Sequence, residues 1–286
     1  MKNEKLPTHE VPQKARSLPP DEEGGSFWSD CIYTALKKGN LVSKIFREVY
    51  GPLSPEEDVS PLGFVTNRDL ENCAKALGLK AGMNLLDLAC GGGGPGLWIA
   101  RKAGANLVGI DFSAIALEQA VRRASKFGMA AMAKYCHASM KATGLESGTF
   151  DGVVSIDALW MANDKQSVLQ EVRRLMRPQG RFVFTTWEGK IPGTGNPTSD
   201  EYRSLLQAAG FMIETYEETA DWEELQREVY RQWLLQQHAL AQEMDVGAAG
   251  MLVNEAIWLT KKLDDGTDRL SQTRRIFVAC RSEHVG

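Results

Sequence analysis

Between Asn84 and Thr186 the chain alternates short apolar runs with segments whose apolar residues recur every three or four positions. The runs are Leu85-Leu86-Asp87-Leu88, Leu107-Val108-Gly109-Ile110, a weaker one over Ala133–His137, then Phe150–Ile156 and Arg181–Thr186. Between them lie segments of helical period, one opening near Pro95, one over about Ala114–Phe127 and one over Lys165–Met176. Strands that alternate with helices predict a parallel sheet covered on both faces. One more helix, Asp200–Ala209, and a strand, Phe211–Tyr216, extend the series. Two long helical stretches follow, Asp221–Met244 and Ala248–Leu263, and a strand over Arg275–Arg281 closes the pattern. Upstream, the apolar positions of Ser26–Tyr50 predict two short helices parted at Gly39-Asn40. A Pro-rich loop over Gly51–Pro61 and a helix over about Thr66–Leu77 come next.

The predicted fold class is therefore α/β, a Rossmann-like, mostly parallel sheet with helices on both faces. A helical cap precedes it and a helical lid is inserted before the last strand. The expected organisation is a disordered tail at 1–25, the cap at 26–80 and the core at 81–220. The lid then covers 221–264, and the last strand with its tail covers 265–286. The tail assignment rests on polar composition and four prolines before residue 26.

Composition narrows the function classes. A formal charge of -4 disfavours nucleic acid as a partner, because phosphate binding needs a basic face. The five cysteines show no CxxC spacing and no accompanying histidine cluster, so neither a metal site nor a disulfide framework is expected. No leader-like segment and no run of 18 apolar residues is visible, so a cytoplasmic protein without a membrane partner is expected, with homo-oligomerisation left open.

The sharpest chemical feature is LLDLACGGGGPGLWIA, Leu85 to Ala100. A buried strand ends in a glycine-rich turn and a helix starts near Pro95, a residue suited to a first turn. In an open parallel sheet this turn lies at the carboxyl ends of the strands, where ligands bind. Dinucleotide enzymes use GxGxxG beneath a pyrophosphate. Here Asp87 precedes the first loop glycine by four positions, a place where a carboxylate repels pyrophosphate but suits a cationic ligand tail. In VGIDFS, Asp111 ends the second strand, 24 positions after Asp87, where an acid suits ribose hydroxyls. Cys90 reads as a small packed residue of the loop.

Taken together, LDLACGGGGPG, VGIDFS, SGTFDGVVSIDAL and LMRPQGRFVFTTWE resemble the ordered motifs of class I S-adenosylmethionine-dependent methyltransferases. The stretch VYG, the Pro-rich loop and SPLGFVTNRDL extend the resemblance to bacterial specialised-metabolite members, including the teleocidin type, which C-methylates a prenyl chain. The resemblance implies S-adenosyl-L-methionine as cofactor, with S-adenosyl-L-homocysteine as product. It implies cofactor contacts from Asp87, Ala89, Gly91, Gly93, Asp111, Phe112, Ser139, Met140 and Ile156. Ala89 departs from the usual first loop glycine. Ser139 stands where relatives often carry an acid for the adenine amino group.

For catalysis, the resemblance implies that Asp157, just past the fourth strand, stabilises a carbocation or takes a proton, against a role as cap of a helix over Ala158–Ala162. Tyr33 is a candidate for closing the site. His238 is a second candidate base, against a structural role. Trp28, Tyr50, Phe64, Trp160 and Trp187 are candidate substrate contacts, the aromatics offering cation–π contact. With Phe27, Trp222, Trp233, Met251 and Trp258 they give the lid an apolar cast. The expected reaction is methyl transfer to a small, apolar specialised metabolite, including C-methylation of an isoprenoid or prenylated acceptor. O- or N-methylation, a non-catalytic cofactor binder and an NAD-type oxidoreductase are the alternatives, the last disfavoured by the loop spacing.

Overall fold

Five strands with near-continuous apolar runs need cover on both faces, and the chain supplies it with helices on each side. The computed structural model describes residues 29–51, 64–189 and 197–282. The predicted tail at 1–25, Phe27, Trp28 and most of the Pro-rich loop lie outside the described residues. In chain order the first elements are α1 (29–36, as far as described), α2 (Leu41–Tyr50), α3 (Asn67–Leu77), β1 (Asn84–Leu88) and α4 (Gly94–Ala103). Next come β2 (Asn106–Asp111), α5 (Ala114–Lys126), β3 (Ala133–His137) and β4 (Phe150–Ile156). Then follow α6 (Lys165–Leu175), β5 (Met176–Glu188), α7 (Ser199–Ala208) and β6 (Phe211–Glu218). Helices α8 (Trp222–Leu235), α9 (Gln237–Glu243) and α10 (Val246–Thr260) precede β7 (Arg274–Ser282).

The seven strands form one sheet in the order β3-β2-β1-β4-β5-β7-β6. The first five strands run parallel, and β7 is antiparallel to both β5 and β6. The order turns back between β1 and β4, the switch point at which an open sheet leaves a crevice beyond its strand ends. One core cluster, centred on Leu86, Phe182 and Phe184, fills one face, and another, around Leu85, Leu97 and Val183, fills the other. A third cluster joins α1 and α2 to α8–α10 and forms the roof over that crevice.

The long helix expected over Asp221–Met244 is two helices, α8 and α9, parted at Gln236. Neither proline nor glycine stands at the break, so the periodicity carries no mark of it. The fourth strand is not followed by an α-helix. A single 3₁₀ turn, Leu159–Met161, replaces it, and Ala158, not Asp157, occupies its N-cap.

The sheet and helix α3 of the cap meet at one charged residue. Arg275, at the start of β7, is 2 % exposed and lies among apolar neighbours. Its Nε and Nη2 donate to Asp157 Oδ1 and Oδ2 at 3.0 and 3.2 Å, and its Nη1 donates to Asp69 Oδ2 at 3.0 Å. Asp69 also closes the capping box of α3, accepting from Thr66 N while Thr66 Oγ1 accepts from Asp69 N. Asp157 further accepts from Thr185 Oγ1 at 2.9 Å and from Phe64 N at 3.0 Å. A buried pair tolerates the loss of one member badly, because the survivor is left as an uncompensated charge. Arg275→Met should therefore lower unfolding stability by about 3–5 kcal/mol in urea titration. Adding Asp157→Asn to that variant should recover part of the loss, whereas additive losses would argue against the pairing.

Candidate functional site

At the end of β1, Ala89 adopts φ +60°, a left-handed conformation uncommon for a residue with a Cβ. The turn it starts is fastened to β2 by Cys90 N, which donates to Ile110 O at 2.8 Å. Gly91 N donates to Asp111 Oδ2 and Ser113 N to Asp111 Oδ1, both at 2.8 Å. The acid at the end of β2 is thus oriented by the glycine loop itself. Burial raises its pKa to about 6, against the pull of those two N–H groups and of His137. Asp87 lies below the loop, 2 % exposed, and its Oδ2 has no hydrogen-bond partner. Burial, and then the nearby Asp111, push it up to about 7, with the Gly96 N–H pulling the other way.

Two glycines make this arrangement possible. A Cβ on Gly91, which has φ +51°, would overlap the Tyr33 hydroxyl, and one on Gly96 would overlap the Asp87 carboxylate. Helix α1 lies over the loop. Gln119 Nε2 donates to Tyr33 O at 2.9 Å, Ser113 Oγ donates to Asp30 Oδ1 at 2.5 Å, and the Arg123 guanidinium donates to Gly92 O. Burial and Asp111 raise the Tyr33 phenol, so it is un-ionised near neutrality. An orphaned carboxylate oxygen and a second carboxylate held by backbone N–H groups beside a glycine turn fit a ligand with a positive charge and vicinal hydroxyls.

The other expected cofactor residues gather around the same crevice. Phe112 is buried, and its carbonyl meets His137 Nε2 at 2.7 Å. Ser139 and Met140 are buried just beyond β3, Ser139 Oγ accepting from Lys141 N at 3.1 Å. Gly93 caps α4 in the left-handed region, and Ile156 is partly buried at the end of β4. Cys90 is buried and its thiol is raised well above the usual range by burial, consistent with packing rather than reactivity.

The candidate catalytic residues fare differently. Both carboxylate oxygens of Asp157 are engaged by Arg275, Thr185 and Phe64 N, and the residue itself has φ +51°. It does not cap a helix. His238 is exposed on α9, whose buried face is carried by Leu240, so it does not face the crevice and its assignment as a base is corrected. Trp160 is 37 % exposed, with its indole N–H donating to Asp157 O. Trp258 is 40 % exposed and stacks under Arg269 rather than facing inward. Glu188, close to Trp187, is buried among Ser199, Tyr216 and Arg274.

The remaining aromatics converge. Phe64 lies 5.6, 5.8, 6.2 and 6.2 Å, centroid to centroid, from Phe46, Trp187, Tyr50 and Tyr230. Trp233 touches Phe46 and Tyr230, and Trp222 touches Trp187. This aromatic cluster joins Phe64 and Trp187, near the end of β5, to rings of α2 and α8. Sequence reasoning missed Arg275, Asp69, Asp30, Gln119 and Arg123. Only Arg275 left a trace, as a charge at the head of an otherwise apolar strand.

A family model described as a methyltransferase domain matches residues 79–245, more than half of the chain. The chain belongs to this family. Among curated members, a sterol 24-C-methyltransferase of Aspergillus fumigatus is 32% identical over 114 residues, 40% of this chain and 30% of that one. Methyltransferase GfsG of Streptomyces halstedii is 30% identical over 135 residues, 47% of this chain and 49% of its own length. The chain thus spans less than half the length of these relatives. Among solved structures, the 4+2 cyclase SpnF superposes with a TM-score of 0.70 at 18% identity, covering 93% of this chain and 97% of that one. Geranyl diphosphate C-methyltransferase of Streptomyces coelicolor gives 0.63 at 15% identity, covering 94% and 100%. These likenesses establish the methyltransferase fold. Among the described residues no helix is long and apolar enough to cross a membrane, and no cluster of His, Cys, Asp and Glu could hold a metal ion.

The raised Asp87 carboxyl gives this methyltransferase domain a pH signature. Folded, the group keeps its proton up to about 7, whereas an unfolded aspartate releases it near about 4. Its effect is to lower stability as pH rises between those values and to leave it level above. The thermal midpoint of the ligand-free protein should fall from about pH 5 to about pH 8. Asp87→Asn should flatten the upper part of that fall, and an unchanged profile would refute the assignment.

Proposed function

We propose that the protein transfers the methyl group of S-adenosylmethionine to a carbon atom of a small apolar metabolite of isoprenoid or prenylated type. The observation that carries this is the pair of buried acids, Asp87 and Asp111, around a loop closed by α1 and adjoining an aromatic cluster. In this reading Asp111 accepts from the ribose hydroxyls, and Asp87 supports the methionine end through the loop. The loop positions Ala89, Gly91 and Gly93 let the backbone approach, while Phe112, Ser139, Met140 and Ile156 flank the adenosine. Tyr33 covers the loop from α1 and excludes water. The cofactor supplies an electrophilic methyl on a sulfonium, and the chain's part is mainly positioning.

Methylation of an alkene carbon would break the methyl–sulfur bond, form a carbon–carbon bond and leave a cation that aromatic faces stabilise until it loses a proton to solvent. Phe64, Trp187, Tyr50 and Trp160 would supply such faces, and Asp157 acts as a positioning residue by fixing the backbone of Phe64. The sterol 24-C-methyltransferase relatives and the fold likeness to geranyl diphosphate C-methyltransferase support carbon as the site of transfer. Methylation of oxygen or nitrogen is the neighbouring reading. The likeness to the 4+2 cyclase SpnF favours a second one, in which the pocket shapes a cyclisation without transferring a methyl group.

Calorimetric titration should show S-adenosylhomocysteine binding and no binding of NADH. Asp111→Ala should weaken S-adenosylhomocysteine by about 10–100-fold, the range for hydrogen bonds to a charged group. Binding without production of S-adenosylhomocysteine from S-adenosylmethionine over a panel of prenylated acceptors would favour the cyclase reading. NADH binding would overturn both.

A further inference from the structure

Within the roof, three polar atoms are buried with no hydrogen-bond partner: Tyr50 Oη, Gln226 Oε1 and Trp233 Nε1. The residues that carry them belong to one neighbourhood. Tyr230 is 5.4 Å from Trp233 between ring centroids and 6.2 Å from Phe64, which is itself 6.2 Å from Tyr50. Gln226 lies one turn before Tyr230 on α8. Gln226 and Trp233 are 1 % and 3 % exposed. Tyr230 donates to Glu255 Oε1 of α10 at 2.9 Å, which closes the far side of the group. Buried polar atoms are nearly always paired, so three unpaired ones carried by one group of neighbouring side chains mark a place suited to a polar group from elsewhere.

The types of the three atoms define that group. Trp233 Nε1 can only donate, Gln226 Oε1 can only accept, and the Tyr50 hydroxyl can do either. A cation would leave the indole N–H unsatisfied, and a bare ether would leave the amide oxygen so. A diphosphate finds no free cation in Arg275, which is already neutralised by Asp69 and Asp157. The geometry points to a neutral head group that both donates and accepts a hydrogen bond, a hydroxyl in the simplest case, carried on an apolar body. Tyr50, Gln226 and Trp233 are then the residues that select the methyl acceptor. This deepens the proposed function and rests on it for the identity of the bound molecule as acceptor.

Two measurements test it. In the ligand-free protein, Tyr50→Phe removes an unsatisfied buried hydroxyl without changing the ring, so its thermal midpoint should rise by about 2–4 °C. An unchanged or lowered midpoint would mean that the hydroxyl is already satisfied. In the protein saturated with S-adenosylhomocysteine, farnesol should bind at least about tenfold more tightly than farnesyl methyl ether or farnesylamine, a gap of about 1.4 kcal/mol. In Gln226→Leu, whose folding the thermal midpoint verifies, the preference over the ether should fall below about threefold. Tighter binding of the amine, a preference untouched by Gln226→Leu, or no binding of any of the three would overturn the assignment. The titration with S-adenosylhomocysteine alone reports the cofactor site separately, so failure of the acceptor assignment would leave the cofactor assignment standing.

Discussion

A guanidinium buried between two carboxylates holds together parts of the chain that are far apart in sequence. Arg275 reaches Asp69 at the start of α3 and Asp157 at the end of β4, and it also donates to Thr219 Oγ1 just past β6. All three of these partners are buried. The ion pair therefore fixes where the cap, the central strands and the antiparallel edge stand relative to one another. A comparable hydrophobic contact could stabilise as much, but it would not fix the angle at which Phe64 enters the aromatic cluster. Asp157 N also donates to Thr185 O, which ties the strained residue back to the sheet.

The two acids of the glycine loop and the ion pair are related problems solved differently. Asp157 and Asp69 are buried with the Arg275 guanidinium between them, whereas Asp87 and Asp111 are buried with no arginine or lysine ion pair among the described residues. The loop acids are held by backbone N–H groups, with His137 near Asp111, and burial raises both of their pKa values. That contrast separates a carboxylate that holds the fold from one left for a ligand, and it is a stronger argument for the binding site than the glycine count.

Much of this was legible in the sequence because period-two and apolar runs report burial directly. The strands, the glycine turn and the acid at the end of β2 all follow from local pattern. The role of Asp157 was not legible, because a carboxylate past a strand looks the same whether it faces a substrate or an arginine 118 positions away. His238 failed for a related reason. The helical period around it was read as one long helix, and the break at Gln236 resets which face of α9 is buried. The clasp of Asp30, Gln119 and Arg123 on the loop was out of reach, since those residues carry no motif and meet only through the fold.

That clasp bears on how the molecule comes together. Asp30 and Tyr33 are fastened to partners 83 and 86 positions later in the chain, and Ile32 and Ala35 of α1 pack in the cluster shared with α2 and α8–α10. Contacts spanning such a separation form late, because the partners must first be set in place by β2 and α5. Helix α1 is thus expected to dock after β2 and α5 have formed, and the glycine loop stays uncovered until it does. At this end of the molecule, the last contacts to form are the ones that cover the glycine loop.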